Sequence, residues 1–91
     1  MESEKKKKKQ QLPKWFKGAL YKEGEVVTNP FSKEEYKLTN VELSLYDFIM
    51  GSQMVMEMAP KTMTGKQIDE FQKALTWFRQ NNPEAYYVLL D

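Results

Sequence analysis

The chain has neither cysteine nor histidine among its 91 residues. Their absence excludes a disulfide framework, a cysteine nucleophile, an imidazole general base and a structural zinc site of the usual ligand types. Glycine and proline are sparse, four of each. No Gly-rich phosphate loop and no calcium-loop pattern can be traced. No apolar run approaches the ~20 residues of a transmembrane helix, and Met1-Glu2-Ser3-Glu4 is not followed by the apolar stretch of a signal peptide. Position 2 is not glycine, so a myristoylation pattern is missing as well. The expectation is a soluble, cytoplasmic protein that uses no metal, no cofactor and no disulfide. Carboxylates, lysines, tyrosines and hydroxyls are what remains for chemistry. Neighbours such as Asp69 and Glu70 project to different sides of a helix, without the facing geometry of paired catalytic acids. The inventory points away from an enzyme.

What is present fits one small domain. Apolar residues make up 41% and charged residues 30% of the chain, the ordinary range for globular proteins. A domain this short buries only roughly 60% of the surface its unfolded chain exposes, so a partner or a second copy would add materially to its stability. A net charge of +1 hides an asymmetry. Residues 1–22 carry eight lysines and two glutamates, whereas residues 23–91 carry six basic and eleven acidic side chains. Lys5, Lys6, Lys7, Lys8 and Lys9 form an unbroken block that repels itself and buries nothing. Residues 1–12 are therefore expected to be a disordered lysine-rich tail, and residues 13–91 a single domain.

Trp15, Phe16, Leu20 and Tyr21 read as a short first strand interrupted by Gly18, with Glu23-Gly24-Glu25 turning into Val26-Val27-Thr28. Asn29-Pro30-Phe31-Ser32 reads as a turn in which the asparagine side chain closes the bend and Phe31 folds back on the hairpin. Glu35 to Leu38 would follow as a third strand, with Tyr36 and Leu38 on one face. Thr39 and Glu42 have capping-box spacing and start a helix over about 40–58. Pro60 ends it. Thr64 and Gln67 repeat the spacing for a second helix reaching about Gln80, with Ile68, Phe71, Leu75 and Phe78 as its core stripe. Asn82-Pro83-Glu84 supplies a cap, a proline at the first helical position and an early acidic residue for a short terminal helix over 83–90. The fold class expected is α+β: a small antiparallel hairpin or three-stranded meander packed on two main helices plus a short C-terminal one.

The central helix is apolar on two sides. Val41, Leu45, Phe48, Ile49, Ser52, Val55 and Met56 fall on one stripe, and Leu43, Tyr46, Met50, Met54 and Met58 on the other. Such a helix is either sandwiched within its own domain or offers a face to another molecule. The methionines read as core packing or as an adaptable groove for a protein partner, formed by Leu43, Tyr46, Met50 and Met54. Copper ligation by their thioethers fails because the set does not converge on one point. Trp77 lies about 140° from its helix's core stripe at ~100° per residue. It is either an exposed binding aromatic or packs beneath Tyr86, Tyr87 and Leu89. The lysine block, continued by Lys14, Trp15, Phe16 and Lys17, suits a nucleic-acid arm in which cations neutralise phosphates and aromatics stack on bases. A polybasic membrane-surface segment and a solubilising tail share that composition. Asn29-Pro30-Phe31 also matches the tripeptide that eukaryotic EH domains recognise, against the turn reading of the same residues.

The run Val27-Thr28-Asn29-Pro30-Phe31-Ser32, with Tyr36-Lys37-Leu38-Thr39 and Tyr46-Asp47-Phe48-Ile49-Met50-Gly51, resembles small uncharacterised proteins of marine tailed bacteriophages over residues 24–52. The resemblance implies a viral protein of the host cytoplasm or the virion and carries no functional residues with it. Two functions are thus expected: a non-enzymatic binding or adaptor protein working through protein–protein contacts or self-association, or nucleic-acid binding through the lysine block.

Overall fold

A computed structural model of the chain describes residues 11–18 and 20–90. The lysine block Lys5–Lys9 lies outside these residues, as does most of the expected tail. Leu12 does not belong to a free tail: it is partly buried against the core.

Two strands, β1 (Glu25–Thr28) and β2 (Glu35–Leu38), form an antiparallel hairpin. Val27 lies opposite Tyr36 and Glu25 opposite Leu38. This register puts Val27, Tyr36 and Leu38 on the face that packs inward, while Val26 and Lys37 face out. The loop between the strands is closed by Asn29, whose side-chain oxygen accepts from the amides of Phe31 (2.8 Å) and Ser32 (3.2 Å). Its side-chain NH2 donates to the Val88 carbonyl at 2.8 Å and ties the loop to the C-terminal segment. The turn is the one expected, but Phe31 is not folded back: it is 93% exposed. Asn29 spends its amide inside the molecule, so the bend can close without help from the phenyl ring.

The long helix α1 (Asn40–Met58) begins with the expected capping box, Glu42 N–H donating to Thr39 Oγ1 and Thr39 N–H to Glu42 Oε1. A 3-10 turn, Pro60–Thr62, leads to α2 (Gly65–Asn81), capped in the same way by Thr64 and Gln67. The chain then starts a short helix, α3 (Pro83–Ala85), whose cap is the Asn82 side chain accepting from Ala85 N–H, and this widens into a π-helical turn, Tyr86–Leu90.

No strand forms over Trp15–Tyr21 among the described residues, so the sheet is the two-stranded alternative and not the meander. The reason lies in the aromatics. Neighbouring side chains of a strand point to opposite faces, yet Trp15 and Phe16 both reach Phe48 on α1, at ring-centroid distances of 5.9 and 5.6 Å. A turn closed by Phe16 N–H to the Pro13 carbonyl (3.0 Å) lets both do so. The chain then runs along the first half of α1. There Tyr21 N–H donates to Ser44 Oγ, and Asn40 donates to the Tyr21 carbonyl.

The core gathers Leu38 from β2, Leu43, Leu45 and Ile49 from α1, Phe71, Ala74 and Phe78 from α2, and Ala85 and Leu89 from the C-terminal segment. On α2, Phe71 and Phe78 are buried as expected and Leu75 packs partly against them. Ile68 is 37% exposed and stays out of the core cluster, which Ala74 joins instead. On α1, Val55 is exposed, although periodicity puts it on the inner stripe.

Candidate binding surfaces

Inside the domain, Glu42 is a buried charged group held by hydrogen bonds. Only 3% of it is exposed, and besides capping α1 it accepts from Asn82 Nδ2 at 3.0 Å. The Asn82 oxygen in turn faces the Tyr36 hydroxyl (3.4 Å), which also lies 3.3 Å from Glu84 Oε1. One phenolic proton is therefore shared between two acceptors. Burial, and then the Glu84 charge beside it, hold the Tyr36 hydroxyl above the usual tyrosine pKa. The cluster joins the start of α1 to the start of α3 through β2. Its geometry is that of a structural brace. Among the described residues, no group of three or more acidic side chains is placed to hold a metal ion.

The expected protein-binding stripe of α1 divides along its length. Leu43 is a core residue with 9% exposure. Tyr46 packs partly on the core, and burial followed by the Asp47 charge raises its pKa. Met50 is half-buried, and Met54 is 59% exposed. Met58, on the same stripe, and Val55 beside it are exposed too. What remains open is thus the far end of the helix. From Gly51 through the turn to Glu70 no residue is buried, although this stretch carries Met54, Val55, Met56, Met58, Met63 and Ile68. Two helix ends and their connecting turn form an apolar arm in which only Met56 packs, partly buried, against the core.

Trp77 is half-buried and packs against core residues, with its ring edge-on to Phe78 at 6.1 Å. Its other surroundings were not foreseen. With Trp15 it lines an open groove of about 430 Å³ that runs beside α2. Trp15 is the one wall residue outside α2; the others, from Asp69 to Gln80, fall at helical spacing along one face. Within the groove Lys73 pairs with Asp69 at 3.3 Å, both side chains well exposed. Lys14 and Lys17, the neighbours of this aromatic turn, are exposed. A sequence signal for the groove existed only for Trp77, through its angle on the helix. Nothing periodic marked Trp15.

Among the described residues, no helix is long and apolar enough to cross a membrane. No protein-family model matches the sequence, and no curated protein or solved structure matches it either.

Proposed function

We propose that the chain is a non-enzymatic binding protein that acts through protein–protein contact at the exposed end of α1, with Met50, Met54 and Met58 as the docking residues and a second copy of the chain as first occupant. The carrying observation is the stretch Gly51–Glu70, twenty residues of helix and turn without a buried side chain and with Met54, Val55 and Met58 open to solvent. Unbranched thioethers adapt their shape to a second surface. The arm carries Glu57, Asp69 and Glu70 against Lys61 and Lys66, so two copies related by a two-fold axis meet mixed charge and not a field of one sign. Full burial of a methionine contributes about 1.5–3 kcal/mol. With the half-buried Met50 left aside, Met54 and Met58 of both copies, four exposed methionines, fall within the roughly 4–15 kcal/mol that association costs, which makes the expected dimer weak and dependent on concentration. The resemblance over residues 24–52 supports a phage-encoded protein working in the host cytoplasm or in the virion.

Sedimentation velocity across a concentration series tests this. A monomer–dimer equilibrium that Met58→Glu abolishes, with the thermal midpoint of the variant unchanged, is the expected result. A chain that stays monomeric up to about 1 mM, where an interaction of roughly 4 kcal/mol would register, removes self-association through the arm.

A further inference from the structure

The groove between the N-terminal turn and α2 combines features that neither the fold nor the proposed arm requires. Its aromatic walls are Trp15 and Trp77, and Gln72, Thr76 and Gln80 add amide and hydroxyl groups along one helix face. The groove's helical wall, from Asp69 to Gln80, is roughly 16 Å long at ~1.5 Å per residue. We propose that this groove is a stacking site for single-stranded nucleic acid, with the lysine-rich N-terminus as its electrostatic arm. Four observations carry it.

Two indoles lining one open channel give flat faces on which unpaired bases stack, a contact tolerant of sequence because every base has such a face. The amides and hydroxyl between them hydrogen-bond base edges without adding negative charge. Cations are close to Trp15 in the sequence: Lys14 and Lys17 flank it and are exposed, and Lys5–Lys9 precede it by six to ten residues. That length of chain spans at most roughly 20–36 Å, at ~3.3–3.6 Å per residue, so phosphates on a strand leaving the groove lie within the arm's reach. Finally, Lys73 is held only by an exposed i,i+4 pair with Asp69. Such a pair is weak, which leaves the ammonium free to turn to a phosphate. Asp69 opposes the strand at that one point. A duplex is disfavoured because its bases present no free faces.

The two groove tryptophans are the only two in the chain, so fluorescence excited selectively at indole, beyond the absorption of the five tyrosines, reports on the two groove walls. The full chain is titrated with a single-stranded oligothymidylate, with an abasic strand of the same phosphate count and with a duplex of the same length, at low and moderate salt. Saturable quenching by the oligothymidylate is expected, with the abasic strand and the duplex binding at least about fivefold more weakly, the lower bound for one stacked base. Gln72→Glu with Thr76→Glu changes two exposed positions, leaves the core untouched and should weaken binding several-fold at constant salt. Lys5→Gln through Lys9→Gln together should reduce the slope of log affinity against log salt by up to about 3.5, at ~0.7 per phosphate on a single strand, while leaving quenching at saturation intact. The proposal is overturned if the abasic strand or the duplex binds as tightly, if the double glutamate variant binds unchanged, if neutralising the lysines abolishes quenching at saturation, or if no strand binds. Equal binding by the abasic strand would assign the interaction to the lysines alone.

Discussion

Asn82 allows the brace between α1, β2 and α3 to be separated from simple helix capping. Replacing it with alanine removes the side-chain cap on Ala85 N–H, a loss of about 1 kcal/mol. It also removes the donor to the buried Glu42 carboxylate, a bond to a charged group worth about 1.5–3 kcal/mol. The sum of about 2.5–4 kcal/mol is a large part of the roughly 4–12 kcal/mol expected for a domain of this size. The midpoint of thermal unfolding should fall by about 10–30 °C, at ~4–8 °C per kcal/mol. Asn82→Asp is the more discriminating variant. Aspartate caps a helix as well as asparagine does and gains about 0.3–1 kcal/mol from the helix dipole, so a residue that only capped would leave the protein equally or more stable. In the brace, however, a second carboxylate would face Glu42 across about 3 Å, the hydrogen-bond distance it replaces. Two such groups cannot both ionise cheaply, and the pair's folded pKa rises. The instability is then full at neutral pH, where both are charged in the unfolded chain, and disappears as pH falls and one proton is shared between them. Urea unfolding followed by circular dichroism at neutral and mildly acidic pH reads the sign directly. An aspartate variant as stable as the parent at neutral pH would refute the brace.

Three further outcomes follow from the geometry. A Cβ on Gly24 would overlap the Leu38 carbonyl oxygen and crowd the backbone of Thr39, so Gly24→Ala should cost about 1–3 kcal/mol in chemical denaturation, and a neutral alanine would contradict that close approach. Lys33 sits at φ 68 in the hairpin loop, a conformation costing an L-residue about 1–2 kcal/mol; Lys33→Gly should raise the thermal midpoint or leave it level, whereas the β-branched Lys33→Val should lower it. The hydroxyl of Tyr36 is raised chiefly by burial, that of Tyr46 by burial and then Asp47, and that of Tyr21 by its 3.0 Å hydrogen bond to Asp47. Because these folded pKa values exceed the unfolded value of about 10, their contribution is full below that pH and is lost as pH rises through the folded values; phenolate absorbance titrated in parallel with unfolding should show the lag, and Tyr36→Phe should reduce the alkaline loss.

The helices were legible because their start signals are local. Thr39 with Glu42 and Thr64 with Gln67 each satisfy orphan amides within four residues, and Asn82-Pro83 does so within three. Nothing distant needs to be known to place them. The N-terminal segment was misread because its structure is decided by a ring 32 positions further on: Phe48 draws Trp15 and Phe16 to the same side, which a strand forbids and a turn permits. Of the two neighbours that a meander gives β1, the N-terminal segment and Glu35–Leu38, only the second pairs with it. Val26-Val27 can pair with whatever lies on either side, and the choice of Glu35–Leu38 depends on Asn29 reaching Val88, 59 residues away. Ala74 and Ala85 are not marked by the sequence because a methyl group adds little to any periodic pattern, although at zero exposure both belong to the core.

The surface of α1 shows what a helical period leaves out. Spacing at ~100° per residue gives the side of the axis on which a residue lies, and by that measure Leu43, Met50, Met54 and Met58 are equivalent. Their exposure is not: it rises from 9% at Leu43 through half-burial at Met50 to 59% at Met54 and 78% at Met58. The variable that sorts them is distance along a helix about 28 Å long, at ~1.5 Å per residue. The hairpin and the C-terminal turn contribute Leu38, Ala85 and Leu89 to a core that ends at Ile49 on this helix. Residues of one stripe therefore divide into two trades. Truncating Leu43 should act on folding, by the several kcal/mol typical of a buried leucine, and leave nothing for a binding assay to read. Changing Met58 to a charged residue should leave the stability of the monomer within about 0.5 kcal/mol and act, if the arm docks as proposed, on association alone.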